Sequence, residues 1–129
     1  KIAQSKDALT WVREEQIALS FKNQYEYAIS KPMPLFLNGT THLWYSYRGE
    51  SYRIGYARAK EQHRYIRYDD QRGLDVSPTG WDSEMVEYAF VFFFSGQLFM
   101  IYNGNDFGKT GLGIAVFEAD LNQLKDHEQ

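Results

Sequence analysis

Short apolar and aromatic runs, separated by pairs of turn-forming residues, set the rhythm of this chain. The alternation predicts strands near Ile2–Gln4, Trp11–Glu15, Ala28–Leu37, His42–Tyr47 and Tyr52–Ala59. Further strands are predicted near Arg64–Tyr68, Met85–Phe94, Gln97–Tyr102 and Gly111–Phe117. Between them stand Asn38-Gly39, Arg48-Gly49, Asp70-Gln71-Arg72-Gly73, Ser95-Gly96 and Asn103-Gly104-Asn105, all suited to turns. In THLWYSY, Leu43, Tyr45 and Tyr47 alternate with His42, Trp44 and Ser46, so both faces carry aromatics. The run AFVFFF is apolar on both faces as well, and such strands must be covered on both sides. Only Ala119–Leu124 has the character of a short helix, and the residues after it are expected to fray.

The pattern also repeats. A shift of 57 places Gly39, Leu43 and Tyr45 on Gly96, Met100 and Tyr102. A shift of 58 places Ile54, Gly55 and Ala57 on Leu112, Gly113 and Ala115, and Ile2 and Ala3 correspond to Tyr56 and Ala57. A period of this length, filled with short strands, implies one sheet per repeat and hence β-propeller blades. The expected fold is all-β: about two four-stranded antiparallel blades plus an N-terminal hairpin, an incomplete propeller. Residues 1–20 would be the outer strands of a preceding blade, 21–75 a blade, and 76–129 a blade with three of its strands in the chain. Stacked blades cover one another, so two would leave wide apolar faces in water. Either further blades of a longer chain or self-association must cover them, and the sequence does not choose between the two.

Composition narrows the chemistry. Of 129 residues, 43% are hydrophobic and 17% aromatic, which is globular and leans toward pleated structure. A net charge of −3 provides no basic surface for nucleic acid or anionic membranes, and no apolar run is long enough for a spanning helix. With no cysteine, thiolate chemistry is excluded. His42, His63 and His127 match no metal-ligand spacing, so neither metal nor cofactor is expected. The compartment stays open, with a slight lean to the cytoplasm. Gly104–Thr110 is not a phosphate loop, having three residues between its glycines where four are needed and a strand after it. Asn38-Gly39-Thr40 is formally a glycosylation sequon but reads as a hairpin turn.

The segments LWYSYRGESYRIGYA, GWDSEM and YNGNDFGKTGLGIA resemble the C-terminal half of the five-bladed propeller glycosidases around glycoside hydrolase families 32 and 43, in an uncharacterised bacterial branch. The blade marker of that group, a strand followed by S-x-D-G-x-x-W, reads here as IAQSKDALTW, with Ser5, Asp7 and Trp11 kept and Ala8 in place of glycine. In the second copy Ala59, Glu61 and Tyr65 occupy the three positions. The resemblance implies carboxylates at the inner ends of the blades, with a general acid in Glu-x-Pro opening an innermost strand. The matching places read Glu87-Tyr88-Ala89, without the proline, and Ser30-Lys31-Pro32, without the acid.

Glycoside hydrolysis needs two carboxyl groups, roughly 5–5.5 Å apart for retention and roughly 6.5–9.5 Å apart for inversion. Glu87 is therefore the candidate acid and Asp82 and Glu84 the supporting carboxylates, against the plainer reading that the latter two cap turns and Glu87 pairs with an arginine. Trp81 is a candidate sugar platform. Arg48 and Arg53, bracketing YRGESYR, could hold a sugar carboxylate or hydroxyls, or stack on Tyr47 or Tyr52. Glu26 and Asn103 complete the candidate binding residues, against readings as a solvated loop and a turn. Two functions stay open. One is a glycosidase-like fragment, inactive as an isolated chain; the other is a non-catalytic oligomeric module binding a glycan or a protein.

Overall fold

A computed structural model describes residues 1–61 and 63–124; the expected fraying of the tail and His127 lie outside them. The chain is all-β and propeller-like, and its described residues form three antiparallel sheets with no closed barrel. The first sheet is the hairpin β1 (Ala3–Gln4) and β2 (Val12–Arg13). The second runs in chain order through β3 (Ala28–Leu37), β4 (Thr40–Arg48), β5 (Tyr52–Glu61) and β6 (Arg64–Arg67). The third holds β7 (Glu87–Phe94), β8 (Gln97–Asn103) and β9 (Leu112–Phe117). Among the described residues no helix is long and apolar enough to cross a membrane. One helical turn, α1 (Asp69–Arg72), replaces the bare turn expected at Asp70–Gly73. A 3₁₀ turn spans Leu121–Leu124.

The second and third sheets are built alike, and the shared devices explain the sequence repeat. Each opens with a bulged strand holding one residue in left-handed backbone: Lys31 (φ 49°) between Ser30 and Met33, and Tyr88 (φ 57°) between Glu87 and Phe90. Each first hairpin closes on a two-residue turn with both residues at positive φ, Asn38-Gly39 and Ser95-Gly96. Each second strand then lays a tyrosine across a glycine of the third: Tyr45 opposes Gly55 and Tyr102 opposes Gly113. A Cβ on Gly55 would lie 2.6 Å from the Tyr45 ring, and one on Gly113 2.7 Å from the Tyr102 ring, so only glycine leaves room. The hydroxyls donate to Asp69 (2.6 Å) and Asp82 (3.1 Å), respectively.

The core lies between these two sheets. Trp44, Ile54 and Tyr56 of β4 and β5 meet Val91, Leu98 and Tyr102 of β7 and β8, with Val86 and Leu124 sealing the margins. His42 is buried there, its Nδ1 2.6 Å from the Tyr56 hydroxyl. The opposite face of the second sheet buries Leu43, Tyr45 and Ala57 beneath Leu19 and Tyr65. Both faces of β4 are thus covered, as its double aromatic alternation requires. Among the described residues the third sheet is covered on one face only. Its other face carries the cross-strand rows Phe90–Ile101–Ile114 and Phe92–Phe99–Val116, and Phe90, Phe94, Leu112, Ile114 and Val116 are exposed.

Candidate functional site

Glu87 opens β7, the strand at one edge of the third sheet, and is 0% exposed. Among the described residues neither carboxylate oxygen has a hydrogen-bond partner. Burial pushes its pKa up to about 7, against the opposing charge of Arg48. A carboxyl that holds its proton near neutrality is what general acid catalysis requires, and orphaned buried carboxylates are rare enough to demand a reason. The expected pairing of Glu87 with an arginine is an electrostatic proximity without a hydrogen bond.

Arg48 closes β4 and comes to this place from the other sheet. Its guanidinium lies over the rings of Tyr52 (5.2 Å) and Tyr27 (5.4 Å), while its Nε is buried with no acceptor. Stacking on Tyr52 was legible in the sequence; Tyr27 brings the second ring from the loop before β3. The bulge draws the sheets together here, because the backbone N–H of Tyr88 donates to Ser46 Oγ (2.8 Å) and that of Val86 to the Tyr52 carbonyl (3.2 Å). Lys31 Nζ sits over the Tyr88 ring at 5.5 Å, and Tyr52 contacts both Tyr88 and Phe107 edge to face or tilted. Ser30, the counterpart of Glu87 in the second sheet, has a buried hydroxyl without a partner. Asn103 lies directly across the β7–β8 ladder from Glu87.

The remaining candidates are placed elsewhere or held by other partners. Asp82 is buried and accepts the Tyr102 hydroxyl. Glu84 is exposed; its backbone N–H donates to Asn105 Oδ1 and its carbonyl accepts from Arg53 and Ser51. Trp81 stacks on Tyr102 at 5.6 Å and fills the space left by Gly104 and Gly113, where a Cβ would approach its ring to 2.3 and 2.6 Å. It is a packing residue of the third sheet. Arg53 is held by Asp75 (2.7 Å) and by the Tyr52 and Glu84 carbonyls. Glu26, expected in a solvated loop, is buried and bidentate to Arg67 (2.6 and 2.9 Å), which also binds Asp69. That ion pair anchors the loop before β3 to β6, and so holds Tyr27 under Arg48. Asn103-Gly104-Asn105 starts a longer turn than a hairpin, in which Asp106 and Phe107 take positive φ. Among the described residues no three His, Asp or Glu side chains form a metal-binding group.

Side chains of the segment from Ser5 to Trp11 close the turn of the N-terminal hairpin. Ser5 Oγ accepts the Ala8 N–H, and Asp7 Oδ1 accepts the N–H groups of Leu9 and Thr10. Trp11 Nε1 donates to the Ala8 carbonyl. Ala8 has φ 62°, which is why glycine suits that position better.

No family model matches the chain. Two curated proteins of Mycobacterium tuberculosis are similar to it: the uncharacterized protein MT1551 of strain CDC 1551 and the uncharacterized protein Rv1502 of strain H37Rv. Each is 35% identical over 118 residues, 92% of this chain and 40% of the relative. The chain thus spans about two fifths of the length of the curated relatives it matches. A solved structure described as a glycoside hydrolase superposes with a TM-score of 0.67 over 88% of this chain and 33% of its own, at 16% identity. The two share a fold.

Proposed function

We propose that this chain is part of a glycan-processing propeller related to glycoside hydrolase families 32 and 43, and that by itself it is not an active hydrolase. Residues 1–20, 21–75 and 76–129 are read as the outer strands of one blade and two successive blades. The observation that carries the reading is Glu87: a wholly buried carboxyl without hydrogen bonds among the described residues, its pKa raised by burial to about 7, at the bulge that opens β7. The solved glycoside hydrolase with the same fold supports it.

Hydrolysis needs a second carboxyl across the scissile bond. Asp82 is engaged by Tyr102, and Glu84 is an exposed loop residue. The partner acid would come from sequence beyond these blades. Purified chain is therefore expected to leave aryl-glycosides intact. Turnover that disappears in Glu87→Gln would overturn the inactive reading and confirm Glu87 as the acid.

The unshielded face of the third sheet favours a second reading, a non-catalytic module whose copies associate and bind a glycan or a protein. A defined oligomer in solution supports it; a monomer that proteases cut readily supports the fragment.

A further inference from the structure

We infer that Arg48, stacked on Tyr27 and Tyr52, is a receptor for the carboxylate of an acidic sugar, and that the proton on Glu87 switches it on. The inference rests on the glycan reading above and adds the class of sugar. Arg48 has no hydrogen-bond acceptor among the described residues, although a guanidinium offers five donors in a fixed fork that matches a carboxylate. Its stacking on two rings fixes the plane of the fork without occupying it. Tyr27, whose ring the guanidinium overlies, is 60% exposed, so aromatic surface for a sugar ring lies next to the fork.

The local charges set the sign. Arg48 of β4 and Lys31 of β3 are the cations, Tyr52 of β5 and Tyr88 of β7 bring their phenol rings, and β8 contributes Asn103. Glu87 is the acid beside them. While it is protonated, the site is cationic and takes an anion; once it ionises, it neutralises Arg48 and repels the ligand's carboxylate. Glu87 need not touch the sugar, which agrees with its complete burial. In this role it is a positioning residue acting through Arg48.

The test is calorimetric titration of the purified chain with tri-galacturonate, its carboxyl-reduced neutral form, and acetate. Tri-galacturonate should bind about tenfold or more tighter than the neutral trisaccharide near pH 6, and weaken about threefold or more near pH 8. Arg48→Lys, which keeps the charge but loses the fork, should cost about tenfold. Tyr27→Ala, an exposed change that leaves the core intact, should also weaken binding. In Glu87→Gln the affinity should no longer differ between the two pH values. Equal affinity for the two trisaccharides removes the acidic-sugar inference while keeping a glycan site. Binding of neither removes both. Acetate as tight as the trisaccharide reduces the site to a bare anion receptor, and acidic-sugar binding indifferent to Arg48→Lys and Tyr27→Ala places the carboxylate elsewhere.

Discussion

At Glu87 the ionisation equilibrium and the folding equilibrium are the same measurement. An unfolded glutamate titrates near 4.5 and the folded one near 7, so the folded chain binds more protons between these values. Stability contributed by the neutral carboxyl is full below about pH 4.5 and is lost as pH rises through about 7. Glu87→Gln should therefore match the parent near pH 4 and exceed it by about 1–3 kcal/mol above pH 8, read from urea midpoints at the two pH values. A variant that is less stable at both would show that the carboxylate has a partner. Gly55→Ala tests a different constraint: its methyl would meet the Tyr45 ring and Asp69 Oδ1 below 3 Å, and a loss of about 1–3 kcal/mol is expected in the same assay. Residues of this kind also mark the limit of what one sequence discloses. Arg48 and Tyr52 are four positions apart and could be paired by eye, whereas Glu26 and Arg67 are 41 apart and meet only after the second sheet has formed. Trp81 looks like a sugar platform until the two glycines that admit its ring are placed over it.

The strands were legible because their signals are local. Period-two alternation and the turn pairs Asn38-Gly39 and Ser95-Gly96 place β3, β4, β7 and β8 to within a residue or two. What alternation cannot announce is a bulge, since an extra residue in left-handed backbone reads as any other; Lys31 and Tyr88 emerged only from geometry. The same conformational rule predicts two gains. Ser95→Asn should stabilise by about 0.5 kcal/mol, because asparagine tolerates the positive φ that its counterpart Asn38 already adopts. Ala8→Gly should stabilise the N-terminal hairpin by about 0.5–1 kcal/mol for the same reason. Thermal unfolding of each single variant decides the matter, and a lowered midpoint contradicts it. Asp7, whose pKa the N–H groups of Thr10 and Leu9 pull down to about 2, should keep that hairpin's turn intact until strongly acid pH.

Across the whole molecule the conspicuous asymmetry is a second sheet wrapped on both sides and a third wrapped on one. The rows through Phe90 and Ile114 and through Phe92 and Val116 leave apolar surface in water, and β9 ends the sheet with an edge that no described strand pairs. Concentration-dependent association is expected for the isolated chain. Ile114→Lys should shift sedimentation toward monomer with little change in melting temperature, because Ile114 is exposed in the single chain. The division into successive sheets was readable from the repeat, because a period counts sheets. How the uncovered face is closed was not, since that depends on atoms beyond these two sheets.

The tyrosine wedged across each glycine offers a gauge of motion within either sheet. A ring gripped at its hydroxyl and pressed flat against a neighbouring backbone cannot rotate by half a turn until the strands part. Tyr45 and Tyr102 should then give separate proton resonances for the two ring edges, and the temperature at which each pair coalesces would report how often its own sheet breathes.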